Sequence, residues 1–303
     1  MRGFYAVGTM AMLLLMLVVA GCGGGSDLTN QSSEMPAGEL ADDGIATLKL
    51  YVFECGRLRF DTVENFNIRD DETAVRELVV PCYIIDHPDG LMIWDGGLPS
   101  HVADTEGWHD NERIGRTARL DQTLAEQLAE LELGFDLGSL DYMAFSHIHY
   151  DHVGVANEIT GAQWLVQQGD FDAAFSETIT VPAVQSELLE NLRNNDRLLL
   201  DGDHDVFGDG RVQIISAPGH TPGHQVLFLD LDETGPLVLS GDLYHFRLSR
   251  EDRRVPVFNV DPDLSLVSME RVEAFVDDSN ATMWIEHDLA LFETLRTAPL
   301  FYD

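Results

Sequence analysis

Basic residues are scarce in this chain, with 18 Lys and Arg against 53 Asp and Glu and a formal net charge of −35. Such a surface repels nucleic acid and anionic lipid, which excludes nucleic acid as a partner and leaves a membrane only through a covalent anchor. The acids run through the whole chain rather than gathering in one tail. They read as an adaptation to solubility or salt, not as a binding surface. The apolar stretch Met10–Ala20 is too short to span a bilayer comfortably. Cysteine is nearly missing: only Cys22, Cys55 and Cys82 occur, and none follows residue 82.

The N-terminus reads as a targeting segment. Arg2 supplies the positive start, and Val19-Ala20-Gly21-Cys22 resembles the lipobox of bacterial lipoproteins, in which the cysteine is acylated. Residues 1–21 are then a signal peptide, 22–44 a Gly-, Ser- and acid-rich flexible tether anchored through Cys22, and 45–303 the folded domain. The expected location is the cell envelope, periplasmic or at the outer membrane. A plain cleaved secretion signal is the alternative. Export leaves Cys55 and Cys82 in an oxidising compartment. They form a disulfide if their strands are neighbours, or stay buried free thiols, the reading we favour because strand-borne cysteines commonly serve as small hydrophobes.

From Thr47 onward, strand-like runs alternate with helical ones. Strands are expected at 47–54, 77–86, 90–95, 140–145, 163–167, 197–200, 211–216, 225–230, 236–240 and 282–286. Helices are expected at 117–132, where Ala118, Leu120, Leu124, Leu128 and Leu131 recur at helical spacing, and near 169–176, 184–193 and 265–277. Two groups of strands, each with helices, suggest two packed sheets covered by helices, an α/β sandwich of layers.

The chemistry concentrates in Ser146-His147-Ile148-His149-Tyr150-Asp151-His152. Three imidazoles and a carboxylate this close are costly to hold together without a cation among them. The apolar run Leu140–Phe145 places them on a loop at the C-terminal end of a strand, where open sheets flanked by helices put their sites. The bland alternative is a His-rich surface loop. Three more strand ends deliver residues of ligand type: His220 in Ala217-Pro218-Gly219-His220-Thr221-Pro222-Gly223-His224, Asp242 after Leu237–Ser240, and His287 after Met283–Glu286. Singly each is weak, since a lone His or Asp after a strand is commonly a cap. Together they outline one rim.

This H-x-H-x-D-H order, followed by His, Asp and His, resembles the metallo-β-lactamase superfamily over residues 45–303. The resemblance implies a four-layered αβ/βα sandwich and two divalent metal ions, with zinc the expected metal. His147, His149 and His220 would hold one ion, and Asp151, His152 and His287 the other, with Asp242 bridging. Family members that hydrolyse β-lactams generally carry cysteine in the place of Asp242, so a true β-lactamase is not expected. Within the superfamily the likeness is to the N-acyl homoserine lactonases, carried by Tyr51-Val52-Phe53-Glu54-Cys55-Gly56, Val80-Pro81-Cys82-Tyr83, Trp94-Asp95-Gly96-Gly97, Gly161-Ala162-Gln163-Trp164 and Gly241-Asp242-Leu243-Tyr244-His245. The implied substrate is a small acyl lactone.

In the implied mechanism a hydroxide shared by two ions attacks the lactone carbonyl, and Asp151 passes its proton to the leaving alkoxide. Some members carry tyrosine three residues after the bridging Asp to contact the substrate carbonyl. His245 stands there in this chain, with Tyr244 beside it, and His245 is expected to take the role. Asp95 reads equally as a partner orienting a ligand histidine or as a turn cap, and His224 as structural. The substrate loops expected near 57–76 and 243–260 carry Phe60, Phe66, Phe246 and Phe258, which by sequence alone set no acyl-chain preference. The ligand set also fits a glyoxalase II-like thioesterase, a general esterase or a phosphodiesterase. A metal-scavenging lipoprotein is disfavoured, because none of the seven ligands is missing.

Overall fold

The structure, a computed structural model, describes residues 47–303 apart from Ile114 and Ile179. The signal peptide, lipobox and tether therefore lie outside the described residues. In chain order the elements are β1 (Lys49–Arg59), β2 (Glu77–His87), β3 (Gly90–Gly96), β4 (His109–Asn111), β5 (Arg116–Arg119), α1 (Leu124–Leu131), β6 (Tyr142–Ala144), β7 (Gln163–Gln167), α2 (Gln168–Ala174), β8 (Arg197–Leu200), β9 (His204–Asp205), β10 (Val212–Ser216), β11 (Gln225–Leu231), β12 (Gly235–Leu239), α3 (Arg247–Asp252), α4 (Pro262–Ser279), β13 (Thr282–Trp284), α5 (Leu289–Phe292) and β14 (Phe301–Tyr302).

Two sheets form. The first runs β4-β5-β1-β2-β3-β6-β7-β8, with β14 also pairing β1, and the second runs β13-β12-β11-β10-β9. Period-2 alternation sorts each strand's side chains between layers. On β1, Leu50 and Val52 enter the cluster between the sheets with Trp94, Leu227, Leu229 and Leu239, while Tyr51, Phe53 and Cys55 join Leu124, Leu128 and Trp164 on the outer face. On β11, Val226 and Phe228 face the other way, onto Met269, Val272 and Val276 of α4. Helix, sheet, sheet, helix is the four-layered αβ/βα sandwich that the family resemblance implies. No helix among the described residues is long and apolar enough to cross a membrane.

Three local expectations are corrected. The helix expected at 117–132 begins only at Leu124, because Arg116–Arg119 is strand β5 and pairs antiparallel with Arg57–Arg59 of β1. Thr123 marks the helix start with a capping box: its hydroxyl accepts the Glu126 N–H at 3.2 Å, and the Glu126 carboxylate accepts the Thr123 N–H at 2.9 Å. The segment expected as a helix at 184–193 is instead 3-10 turns over Ser186–Asn194. Cys55 and Cys82 are not free thiols but a disulfide, with Cα atoms 5.7 Å apart. β1 and β2 are antiparallel neighbours with Phe53 opposite Cys82, and an irregularity between Glu54 and Arg57 swings Cys55 onto that partner.

Candidate metal centre

The loop after β6 is pinned before any ligand is considered. Asp95, at the end of β3, accepts the Ser146 N–H through Oδ1 at 2.6 Å, and Gly96 N–H donates to the His152 carbonyl at 2.6 Å. Gly154 N–H donates to the Gly97 carbonyl at 2.9 Å, and a Cβ on Gly154 would come within 2.2 Å of the Leu98 backbone. Only glycine permits that approach. Gln225, leading β11 of the other sheet, donates from its backbone to the Ser146 carbonyl at 2.8 Å and from its side chain to the Phe145 carbonyl at 2.9 Å. The ends of both sheets are thereby fastened to one another at the site.

Four of the expected residues meet in one group, His147, His149, His220 and Asp242, all buried, and Asp151, His152 and His287 meet in a second. In the first, His147 Nε2, His149 Nδ1 and His220 Nε2 form a triangle with sides of 2.8, 3.1 and 3.1 Å. Asp242 Oδ2 stands 3.0 Å from His220 Nε2 and 3.5 Å from His147 Nε2. A tetrahedral ion with nitrogen arms of about 2.0–2.1 Å has donor-to-donor edges of about 3.3 Å. A ring nitrogen offers one proton or one lone pair, so three of them facing each other cannot all be satisfied by hydrogen bonds among themselves. In the second group, His287 Nε2 lies 2.9 Å and His152 Nε2 3.5 Å from Asp242 Oδ1. Asp242 thus offers one oxygen to each group, the geometry of a bridging ligand.

Four of the five histidines have their other ring nitrogen held from behind, while the buried His149 Nε2 meets no hydrogen-bond partner among the described residues. His147 Nδ1 meets Ser146 Oγ at 3.1 Å, His152 Nδ1 meets Asp95 Oδ2 at 3.1 Å, His220 Nδ1 meets Asn259 Oδ1 at 2.9 Å, and His287 Nδ1 meets the Val79 carbonyl at 2.7 Å. The acceptor oxygens of Asp95, Asn259 and Val79 fix the tautomers of His152, His220 and His287 and turn the opposite nitrogens inward. Asp95 therefore orients His152, one of the candidate ligands, as well as tying the loop. His224 is structural, its Nδ1 on the Ala217 carbonyl at 3.0 Å.

Burial, with neighbouring histidines, holds His147 and His149 well below the ordinary histidine range, which keeps both imidazoles neutral for ligation. Burial opposes charge on His152 and His287 too, but Asp242, joined for His152 by Asp95, raises both. Asp242 is held well below the usual carboxylate range: burial pushes it up, and His245, His287, His152 and His147 outweigh that. The donor set fits two divalent ions sharing one carboxylate.

Of the two side chains that could face a substrate carbonyl, His245 lines the cavity above the centre, with Nε2 at 2.9 Å from Asp242 Oδ2, while Tyr244 packs with Met269 and Val272 beneath α4. Sequence reasoning missed Asp170, Asn259 and Glu286. Buried Asp170 accepts Gly223 N–H at 2.6 Å and Thr221 Oγ1–H at 2.9 Å, steadying the His220 loop. Asn259 reaches His220 from a distant loop, and neither it nor Asp170 stands in a motif. Glu286 is buried beside Asp95 and His152, and burial followed by the Asp95 charge raises its carboxyl well above the ordinary range. Its place beside His287 was visible in the sequence, but its burial was not.

The metallo-β-lactamase superfamily model matches residues 75–283. Among curated relatives, the N-acyl homoserine lactonase AttM of Rhizobium radiobacter is 27% identical over 269 residues, spanning 84% of this chain and 98% of its own. The lactonase AiiA of Bacillus thuringiensis subsp. kurstaki is 26% identical over 253 residues, 83% of this chain and 97% of its own. Among solved structures, an N-acyl homoserine lactone hydrolase with N-hexanoyl-L-homoserine bound at its catalytic metal centre superposes with a TM-score of 0.69. It is 26% identical, over 85% of this chain and 100% of that one. A B. thuringiensis AiiA variant with N-decanoyl-L-homoserine at the active site also gives 0.69, at 25% identity over 85% and 100%. With ligand order, layer order and family match in agreement, this chain belongs to the metallo-β-lactamase superfamily and is a metal-dependent hydrolase of that fold.

Proposed function

We propose that the enzyme opens the lactone ring of N-acyl homoserine lactones, using His147, His149 and His220 for one zinc ion, Asp151, His152 and His287 for a second, and Asp242 for both. The observation that carries this reading is the cavity over the centre. It measures about 790 Å³, reaches His149, Asp151, Asp242, His245 and His287 at its floor, and has Phe60, Phe66 and Phe258 in its walls. An apolar-walled chamber of this size accepts a lactone ring at the floor and an acyl chain along the wall. The likeness to AttM and AiiA supports the same substrate class.

Two ions bound here would polarise the ester carbonyl and lower the pKa of a shared water toward about 7. The chain's own residues supply the rest. His245 packs against Phe66, ring centroids 5.0 Å apart, and against Phe258 at 5.6 Å, which fixes its imidazole at the cavity floor. From there it donates to the oxygen that gains charge as the ring opens. Asp151 lines the same floor and carries the proton to the leaving alkoxide. The phenylalanines exclude water from the acyl chain and strengthen these contacts.

The test is turnover of acyl homoserine lactones across a chain-length series beside thioesters and phosphodiesters. Opening of lactones with kcat/KM well above the other classes supports the proposal. Silence toward every lactone with brisk thioester cleavage would replace it with the glyoxalase II-like reading.

A further inference from the structure

One cation on the cavity wall meets no counter-charge among the described residues. Arg116, at the start of β5, lines the same cavity as His149, Asp151 and His245. Its Nη1 donates to the Gly115 carbonyl at 2.9 Å, and its guanidinium lies 5.8 Å from the Phe60 ring centroid. Among the described residues it makes no ion pair, and Asp61, on the same wall, does not reach it. The neighbouring arginine differs. Arg59 lies 3.9 Å over the Trp108 ring and contacts Glu77 Oε2 at 3.4 Å. Arg57, Arg250 and Arg254 are likewise met by carboxylates. Of the two arginines that line this cavity, Arg59 is met by Glu77, whereas Arg116, beside Leu58, Phe60 and Phe66, is met by no carboxylate among the described residues.

An arginine without a carboxylate on this wall leaves its donors open to a ligand. Arg116 is exposed, so a plain acyl chain lying along this wall displaces part of its water and returns no hydrogen bond. A chain carrying an oxygen returns a charge-assisted one. The amide carbonyl is common to every acyl homoserine lactone, so it cannot discriminate among them. A β-keto or β-hydroxy oxygen can.

Resting on the lactonase reading above, we propose that Arg116 recognises an oxygen on the acyl chain and makes the enzyme selective for β-oxygenated acyl lactones over plain ones of equal length. A hydrogen bond to a charged group is worth roughly ten- to a hundredfold in binding, which sets the size of the preference.

The test compares kcat and KM for N-octanoyl and N-(3-oxooctanoyl) homoserine lactone with the wild type, Arg116→Ala and Arg116→Lys, checking each variant's melting temperature. The wild type is expected to favour the oxo substrate. Arg116→Ala should raise KM for it about tenfold or more while changing the plain substrate's KM less than about threefold. Arg116→Lys should restore part of the difference, since a point charge replaces the fork. If both substrates are opened and Arg116→Ala weakens both alike or neither, this inference fails and the lactonase reading stands. If the wild type opens neither substrate, this inference fails, and the lactonase reading falls with it only where the whole chain-length series is also left intact.

Discussion

Asp95 Oδ2 meets His152 Nδ1 at 3.1 Å while its other oxygen accepts the Ser146 N–H at 2.6 Å. One carboxylate, itself fully buried, therefore sets both the ring orientation of a ligand and the start of the loop that bears three others. Its backbone sits at φ 55°, a left-handed conformation that Asp tolerates better than most residues.

Asp95→Ala should weaken the ion held by Asp151, His152 and His287 by about 10–100-fold, the usual cost of losing such a partner. The ion held by His147, His149 and His220 should suffer less. Metal-competition titration reads both, and an unchanged affinity at the His152 half would show that Asp95 only shapes the loop.

His245→Ala should lower lactone turnover by about 10²–10³, the loss expected for one oxyanion donor, or ~2.7–4 kcal/mol. Both metals should remain, because His245 belongs to neither ligand group. Full turnover in the variant would remove His245 from the mechanism, and loss of metal would make it a ligand.

Chelation should abolish activity and lower the melting temperature, and elemental analysis of the intact enzyme should find about two ions per chain. Ions that bind the folded state alone stabilise it by mass action. Metal-free protein with full activity would overturn the dinuclear mechanism.

Acidification should release the two ions unequally. Asp242 raises His152 and His287 above the ordinary histidine range, so without metal these rings take up protons at higher pH, and an ion there must displace them. Burial holds His147 and His149 below that range, so protons compete with their ion only at lower pH. Equilibrium dialysis in steps down from neutral pH should show one ion per chain leaving before the other. Simultaneous loss would contradict the assignment.

Reducing the Cys55–Cys82 bond should cost roughly 2–4 kcal/mol, as the closure of a loop of this order restrains the unfolded chain. Melting with and without reductant measures it, and coincident curves would count against a stabilising bridge.

Val19-Ala20-Gly21-Cys22 carries the proposal of a lipid anchor. Cys22→Ser should abolish incorporation of labelled fatty acid and move the protein out of the membrane fraction. Retention of label and fractionation would refute it.

The gathering of His147, His149, Asp151, His152, His220, Asp242 and His287 was legible in the sequence because each stands at the end of a strand, and strand ends in this order meet at one rim. The layers were legible for a similar reason: alternating strands such as Lys49–Arg59 must bury two faces. What the sequence left open was decided by pairing across distance. Cys55 and Cys82 were compatible with free thiols until the β1–β2 register made them neighbours. Residues 117–119 fell in the expected helix because Ala118 extended the spacing of Leu120, Leu124, Leu128 and Leu131, until pairing with β1 drew Arg116–Arg119 into the sheet. Asp95 could cap a turn or orient a ligand, and contact with residues more than fifty positions away chose the second. Asn259, Asp170 and Arg116 left no motif, since a single hydrogen bond or an unmet charge imposes no pattern on neighbouring residues. Only the folded chain brings each to the group it serves.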